Sequence, residues 1–340
     1  MPPLVSILMA TYNRATFLST SIESVLAQSM EDFELVISDN ASTDDTPEVV
    51  QRYQMKDARV RYFRNSVNVG PVPNFNLCHQ RSDPSSKYVI VLPSDDWWEP
   101  SLLSRLVEAG EKHPHVTLIH CDGYRTDLKG QIITRQSSLY TALPPSGEHR
   151  AVRELYQGCY FLAHGTLINR ANQQRMYPVQ EFYDPALKWC PDYDLWLQLM
   201  TRGAVAYYIR DPLVYHRIHE GQMSSQHNLV PMLRDTVTSF RDKLEGICPP
   251  ELESFRREAL RVRLTALGSE LLLAGQRDEG KSMLEEAHKI SGPRAGIDLE
   301  VARTIAALPL PAGLHPRIWR LAVTTSRAFK GTAKVTAAAR

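Results

Sequence analysis

The stretch that most constrains this chain is Tyr88-Val89-Ile90-Val91-Leu92, an apolar run without alternation that stops at Pro93-Ser94-Asp95-Asp96. A strand with no polar face must be covered on both sides, as inside a parallel sheet flanked by helices. In such sheets ligands gather beyond the carboxyl ends of the strands. Two adjacent carboxylates at that position suit a divalent cation, because Mg²⁺ commonly takes one or two protein carboxylates and fills its other positions with waters and substrate phosphates. The pair therefore implies a nucleoside-diphosphate partner. The alternative is local: Ser94, Asp95 or Asp96 caps the helix that Glu99-Pro100-Ser101 opens, with proline in its favoured first turn.

The segments before this run repeat one pattern. Leu4 to Met9 reads as a short buried strand, followed by the polar turn Ala10-Thr11-Tyr12-Asn13-Arg14 and then by Phe17, Leu18, Ile22, Val25 and Leu26 at helical spacing. Phe33 to Ser38 is a second strand, and Asp39-Asn40-Ala41-Ser42-Thr43-Asp44-Asp45 a polar turn leading into a helix through Arg52. Val60 to Arg64 is a third strand, after which Asn68-Val69-Gly70-Pro71 opens a helix. Strand–helix alternation at this spacing predicts an α/β fold with a mostly parallel, Rossmann-like sheet. No G-x-G-x-x-G follows the first strand and no G-x-x-x-x-G-K-[ST] occurs, so dinucleotide and P-loop chemistry are not indicated. Asn68 and Gly70 read as turn chemistry, since both tolerate left-handed backbone.

Over 340 residues the formal net charge is +1, which supplies no global field for nucleic acid. Five scattered cysteines contain no C-x-x-C pair and read as reduced thiols. The chain enters a strand within a few residues and carries no apolar run long enough for a bilayer. A cytoplasmic protein, working at the inner face of the cell membrane, is expected.

Taken in order, Thr11-Tyr12-Asn13-Arg14, Asp39-Asn40-Ala41-Ser42-Thr43-Asp44, Asn68-Val69-Gly70 and Ser94-Asp95-Asp96-Trp97-Trp98-Glu99-Pro100 resemble glycosyltransferase family 2 over roughly residues 4 to 220. The resemblance implies the GT-A fold, a nucleoside-diphosphate-sugar donor, a divalent cation (Mn²⁺ or Mg²⁺) and inversion at the anomeric carbon. It places Thr11 and Tyr12 around the base and makes Asp39 an acceptor for a base N–H. Arg14, Asn68, Asn74, Ser94 and Asp95 complete the expected nucleotide-sugar contacts, and Asp95, Asp96 and His219 are the expected metal ligands. Two positions depart from the family pattern: Pro93 stands where the first acid of D-x-D is usual, and Phe75 where an arginine is common.

Further along, Val116 to Cys121 continues the sheet, and Tyr124 to Asp127 with Gln131 to Arg135 reads as a hairpin. His164, in the irregular stretch Phe161 to Asn169, reads as a packing histidine. Pro191-Asp192-Tyr193-Asp194-Leu195-Trp196 begins a helix, and residues two apart on a helix diverge by about 200°, so Asp192 and Asp194 cannot both face one site. Asp192 reads locally as an N-cap. The resemblance makes it the catalytic base, with Pro191 and Gln198 replacing the glutamate and arginine of the usual signature. Ala204 to Ile209 and Leu213 to Arg217 are two more strands, and the segment from Tyr215 to Ser225 resembles the family's closing motif through His219; His216 reads as a surface residue.

After residue 228 the composition turns helical, with segments Met232 to Leu244, Glu251 to Leu273, Gln276 to Lys289 and Asp298 to Leu308. Residues 313–340 hold basic and apolar residues with no acid, suited to an anionic membrane surface. The expected division is a GT-A domain over 1–228 (donor half to about 125), a helical region over 229–312 and the tail. The expected activity is transfer of one sugar to a glycan or lipid-linked acceptor in surface polysaccharide assembly. A sugar nucleotidyltransferase and a binding scaffold of the same fold are the rivals. The first lacks its glycine-rich basic loop, and the second draws support from Pro93, Phe75 and Pro191.

Overall fold

The sheet is built outward from β1 (Val5–Thr11), whose side chains from Val5 to Met9 are all buried because strands and helices cover both faces. The computed structural model describes residues 2–140, 143–222 and 228–291, and the chain forms two compact units, Met1–Ser225 and Gln226–Arg340.

In the first unit, β1 pairs in parallel with β2 (Phe33–Asp39) on one side and with β4 (Tyr88–Val91) on the other, and β2 pairs in parallel with β3 (Val60–Arg64). Helices α1 (Ala15–Leu26), α2 (Thr46–Gln54) and α3 (Pro71–Arg81) make the crossovers. Beyond β4 the order continues through β9 (Thr166–Asn169), β6 (Leu118–Thr126) and β10 (Ala206–Arg217) to β5 (Trp97–Trp98). The long strands β6 and β10 are parallel, whereas the antiparallel partners are short: β9, β5, β7 (Ile132–Arg135) and β8 (Gly147–His149).

Four differences from the sequence reading have local causes. No residue of Ser94-Asp95-Asp96 caps a helix, because α4 (Leu102–Lys112) starts later, after β5, with Ser101 at its N-cap. The segments from Ala204 and from Leu213 are one strand, β10, whose register against β6 shifts on both sides of Pro212, a residue with no N–H to give the ladder. Likewise Val116 to Cys121 and Tyr124 to Asp127 merge into β6. Helices α5 (Val152–Gln157) and α6 (Arg170–Met176) span too few turns to show a periodicity. Asn169 caps α6, its side chain accepting from the Asn172 N–H at 3.1 Å. The next long helix, α7 (Pro191–Thr201), is almost wholly buried.

The second unit contains α8 (Leu229–Thr238), running into a π-helical turn over Ser239–Lys243, then α9 (Pro250–Leu273) and α10 (Arg277–Ser291). The expected helix from Asp298 and the basic tail lie outside the described residues. Helices α9 and α10 meet where two glycines face each other. A Cβ on Gly280 would lie 2.9 Å from the Gly268 carbonyl oxygen, and one on Gly268 would lie 2.9 Å from that of Gly280. Replacing glycine by alanine inside an open helix stabilises it by roughly 1 kcal/mol. Here a backbone atom blocks the methyl group, and overpacking of about 1–3 kcal/mol outweighs the propensity gain. Gly280→Ala therefore lowers the denaturation midpoint, while Ser282→Ala on the exposed face of the same helix does not; an unchanged or raised midpoint for Gly280→Ala contradicts this packing.

Candidate active site

The carboxyl ends of β1, β2 and β3 lie side by side, with Thr11, Asp39 and Arg64 in register. Asp39 is fully buried: its Oδ1 accepts from the Ser42 N–H (2.9 Å), its Oδ2 from the Tyr62 hydroxyl (2.8 Å), and the Arg64 Nε stands 3.6 Å away. Burial, then Asp39 itself, pushes the Tyr62 phenol up, so it stays a donor. Beside Asp39 the Thr11 hydroxyl is buried with no hydrogen-bond partner, an orphan that a ligand can satisfy. Tyr12, just beyond, is 41% exposed.

The turns that follow are strained and tied together. Asn13 (φ 52°) and Ala41 (φ 62°) both adopt left-handed backbone, which costs an L-residue roughly 1–2 kcal/mol. The Asn13 N–H donates to Ser42 Oγ (2.9 Å) and its Oδ1 accepts from the Thr43 N–H (2.8 Å). Such strain, held by surrounding bonds, is characteristic of binding rims.

Of the other expected nucleotide contacts, Asn68 serves the turn: its Oδ1 accepts from Asn40 Nδ2 (2.8 Å) and from the N–H of Gly70, whose φ of 91° requires glycine. Asn74 is a correction. It is buried and spends its side chain internally, donating to the Ser38 carbonyl (2.8 Å) and accepting from Ser38 Oγ (2.7 Å) and Asn65 Nδ2 (2.9 Å), so it fastens α3 to β2. Ser94 is buried under the rim. Phe75, in the arginine position, packs edge-on against Tyr183 at 5.9 Å.

The acids after β4 meet the end of β10. Trp98 and Trp97 pair antiparallel with Val214 and Tyr215, which carries the next residues of β10 back over the turn before β5. The Arg217 N–H donates to Asp96 Oδ1 (2.8 Å) and its Nε to the Asp95 carbonyl (3.0 Å), while its guanidinium lies over the rings of Phe17 (4.8 Å) and Trp97 (4.7 Å). His219 Nε2 is 2.9 Å from Asp95 Oδ2. Arg14 Nε lies 3.6 Å from the same oxygen, and its other end donates to the Gly221 carbonyl (3.0 Å).

The expected set Asp95, Asp96 and His219 is therefore two groups. Asp95 joins His219 and Arg14. Asp96, 1% exposed, joins His216 Nδ1 (3.3 Å) and His164 Nδ1 (3.4 Å), two histidines read from sequence as surface and packing residues. Burial works against the charged form of Asp96, but His216 and His164 outweigh it and hold the carboxyl below its usual range. Burial likewise opposes the charge on His216, where Asp96 wins and raises it. For His164 burial prevails, and its pKa falls to about 4.

Both groups offer metal donors. Cis ligands about 2.1 Å from one cation are about 3.0 Å apart, so the 2.9 Å between Asp95 and His219 fits a shared ion. Asp96, His164 and His216 present their ligand atoms within 4.8 Å of one another, a largely buried set that also fits a metal ion. Asp95, whose side chain is 16% exposed against 1% for Asp96, is the acid better placed for a cation that must also meet phosphate.

Asp192 is not an N-cap: Cys190 holds that place and Pro191 begins α7. Asp192 is half-buried and Asp194 buried, so the two diverge as helical geometry requires. Burial raises the Asp192 carboxyl, and burial, then the charge of Asp192, raises the phenol of Tyr183. Tyr183 is fixed to α3 through Asn76, which bonds both its N–H and its carbonyl at 2.8 Å.

Residues 6–172 match the profile named Glycosyl transferase family 2. Over 115 residues the chain is 36% identical to the "GalNAc(5)-diNAcBac-PP-undecaprenol beta-1,3-glucosyltransferase" of Campylobacter jejuni, covering 34% of this chain and 37% of that protein. Among solved structures it superposes on S. aureus TarS 1-349 in complex with UDP-GlcNAc, with a TM-score of 0.67 and 16% identity over 96% of this chain and 92% of that one. It also superposes on the mannosyltransferase PcManGT from Pyrobaculum calidifontis in complex with GDP-Man and Mn²⁺, with a TM-score of 0.58 and 16% identity over 96% and 86%. At these identities the structures establish the fold, GT-A.

The buried histidine makes stability acid-sensitive. Unfolded histidine protonates near 6.5 but His164 in the fold only near 4, so the unfolded chain binds more protons between those values and stability falls as pH drops through that window. His164 contributes roughly 3 kcal/mol of that loss by pH 4. His216, raised, has the opposite sign: its contribution is complete below 6.5 and is lost as pH rises through its folded pKa. Denaturation midpoints measured from pH 7 to pH 4 should fall less steeply for His164→Asn than for the wild type; parallel curves contradict the assignment.

Proposed function

Residues 6–172 belong to glycosyl transferase family 2, and from that premise we propose that the protein moves a sugar from a nucleoside-diphosphate donor to a hydroxyl of a glycan or lipid-linked acceptor, with inversion. The reading is supported most directly by Asp95, which His219 and Arg14 bracket at the carboxyl edge of the sheet. Thr11, Tyr12 and Asp39 receive the base, the free hydroxyl of Thr11 and the fixed carboxylate of Asp39 being the polar contacts. Asp95 and His219 would hold a divalent cation, Mn²⁺ or Mg²⁺, which when bound would supply Lewis-acid neutralisation of the departing diphosphate. Arg14 adds a permanent charge on the same side.

Asp192 is the base. An inverting displacement needs one carboxylate within reach of the acceptor hydroxyl, on the face opposite the leaving group. Burial raises the Asp192 carboxyl, which makes it a stronger proton acceptor than an ordinary aspartate. The name of the Campylobacter relative puts its acceptor on a diphosphoundecaprenol lipid, which supports a lipid-linked acceptor here.

Asp192→Asn should lower transfer by roughly 10²–10⁴-fold and leave the thermal shift produced by a nucleoside diphosphate unchanged. The acid limb of the wild-type rate profile should lie above the ordinary aspartate range. Retention of transfer in Asp192→Asn contradicts the base assignment, and absence of any nucleoside-diphosphate shift contradicts the donor site.

A further inference from the structure

Next to the donor rim stands a surface of different chemistry. Strand β7 pairs antiparallel with β6, and the turn between them is well built: Asp127 Oδ1 accepts from the N–H groups of Lys129 (2.9 Å) and Gln131 (2.8 Å), and Gly130 has φ 82°. Four of the eleven large apolar side chains exposed among the described residues fall on this short segment. Leu128 is 57% exposed, Ile132 55%, Ile133 60% and Leu139 48%. Neighbours on a strand point to opposite faces, so open Ile132 and Ile133 together mean that the blade is bare on both sides.

Charge accompanies the apolar surface. Between residues 124 and 140 the bases are Arg125, Lys129 and Arg135 and the only acid is Asp127; Arg135 is paired with the buried Asp122. The hairpin also joins the site directly. The Leu128 carbonyl accepts from Arg217 (3.0 Å), the residue that holds Asp95 and Asp96, and a Cβ on Gly130 would lie 3.6 Å from the Trp97 ring.

We propose that the β6–β7 hairpin seats the donor rim on an anionic lipid surface, with Leu128, Ile132, Ile133 and Leu139 entering the headgroup boundary and Lys129 and Arg125 meeting lipid phosphates. This rests on the transferase reading and narrows its acceptor to one carried by a lipid. A soluble glycan would be met by hydrogen-bonding groups and aromatic faces. Bare aliphatic side chains flanked by cations match the boundary of an anionic bilayer. A second copy adding to the β7 edge is the competing occupant.

The test uses the full chain in sedimentation with vesicles of phosphatidylcholine alone or mixed with phosphatidylglycerol. The wild type should bind the anionic vesicles, Ile132→Ser/Ile133→Ser should weaken binding by about tenfold or more, and Lys129→Glu should weaken it several-fold at low salt. Unchanged thermal midpoints and nucleoside-diphosphate shifts establish that the variants are folded with an intact donor site. The proposal is overturned if the wild type ignores anionic vesicles or if the double variant binds them as well as the wild type. It is equally overturned by a wild-type dimer that the double variant dissociates while vesicle binding persists. Because vesicle binding requires no turnover, its loss and a failure of the donor reading, seen as no nucleotide shift in the wild type, are separate results.

Discussion

The two-residue pairing of Trp97–Trp98 with Val214–Tyr215 is the constraint on which the rest of the site depends. Strand β4 can bring Asp95 and Asp96 to the edge of the sheet, but it cannot by itself give them partners. Because β5 turns back antiparallel onto β10, the residues following that strand return over the same turn, and groups more than a hundred positions away in sequence become neighbours. Arg217 fixes the geometry, since its N–H, its Nε and its Nη1 donate to the Asp96 carboxylate and to the carbonyls of Asp95 and Leu128 respectively. Stacking of Trp97 on Tyr215 at 5.0 Å covers this join with aromatic surface.

The two adjacent acids then divide the work. Asp96 is withdrawn from water and held by a backbone N–H and two imidazoles, a compensation that a buried carboxylate needs. Its fixed position makes it a support for the turn. Asp95 lies nearer the rim, shared between His219 and Arg14. A related contrast holds at the ends of β2 and β1: each carboxylate oxygen of Asp39 accepts one hydrogen bond and keeps further acceptor capacity, whereas the Thr11 hydroxyl has no partner.

Much of the fold was legible in the sequence, because β1 to β4 and α1 to α3 are regular and local. Alternation of buried runs with helical spacing located them, and Val60–Arg64 agrees at both ends. The Glu99–Pro100 region misled: proline and serine there suggested a cap for the acids, and no periodicity can announce a two-residue strand. Of the candidate site, Arg14, Asp39, Asp95 and His219 were named from contiguous motifs by resemblance, and the fold brings Arg14, Asp95 and His219 together; His164 is isolated in an irregular stretch, and its contact with Asp96 depends on tertiary packing. Tyr62 could have been found from parallel register, two residues before the partner of Asp39. Asn74 was misplaced because a motif position does not say whether an amide faces ligand or backbone.

Cation and diphosphate are proposed to meet between Asp95 and His219. The most direct measurement is pulsed electron paramagnetic resonance of Mn²⁺ added to the full chain with a nucleoside diphosphate. It should show ¹⁴N modulation from one imidazole, lost in His219→Ala and kept in His216→Ala. A fully hydrated Mn²⁺ spectrum, or a signal that disappears with His216 and survives loss of His219, would contradict it.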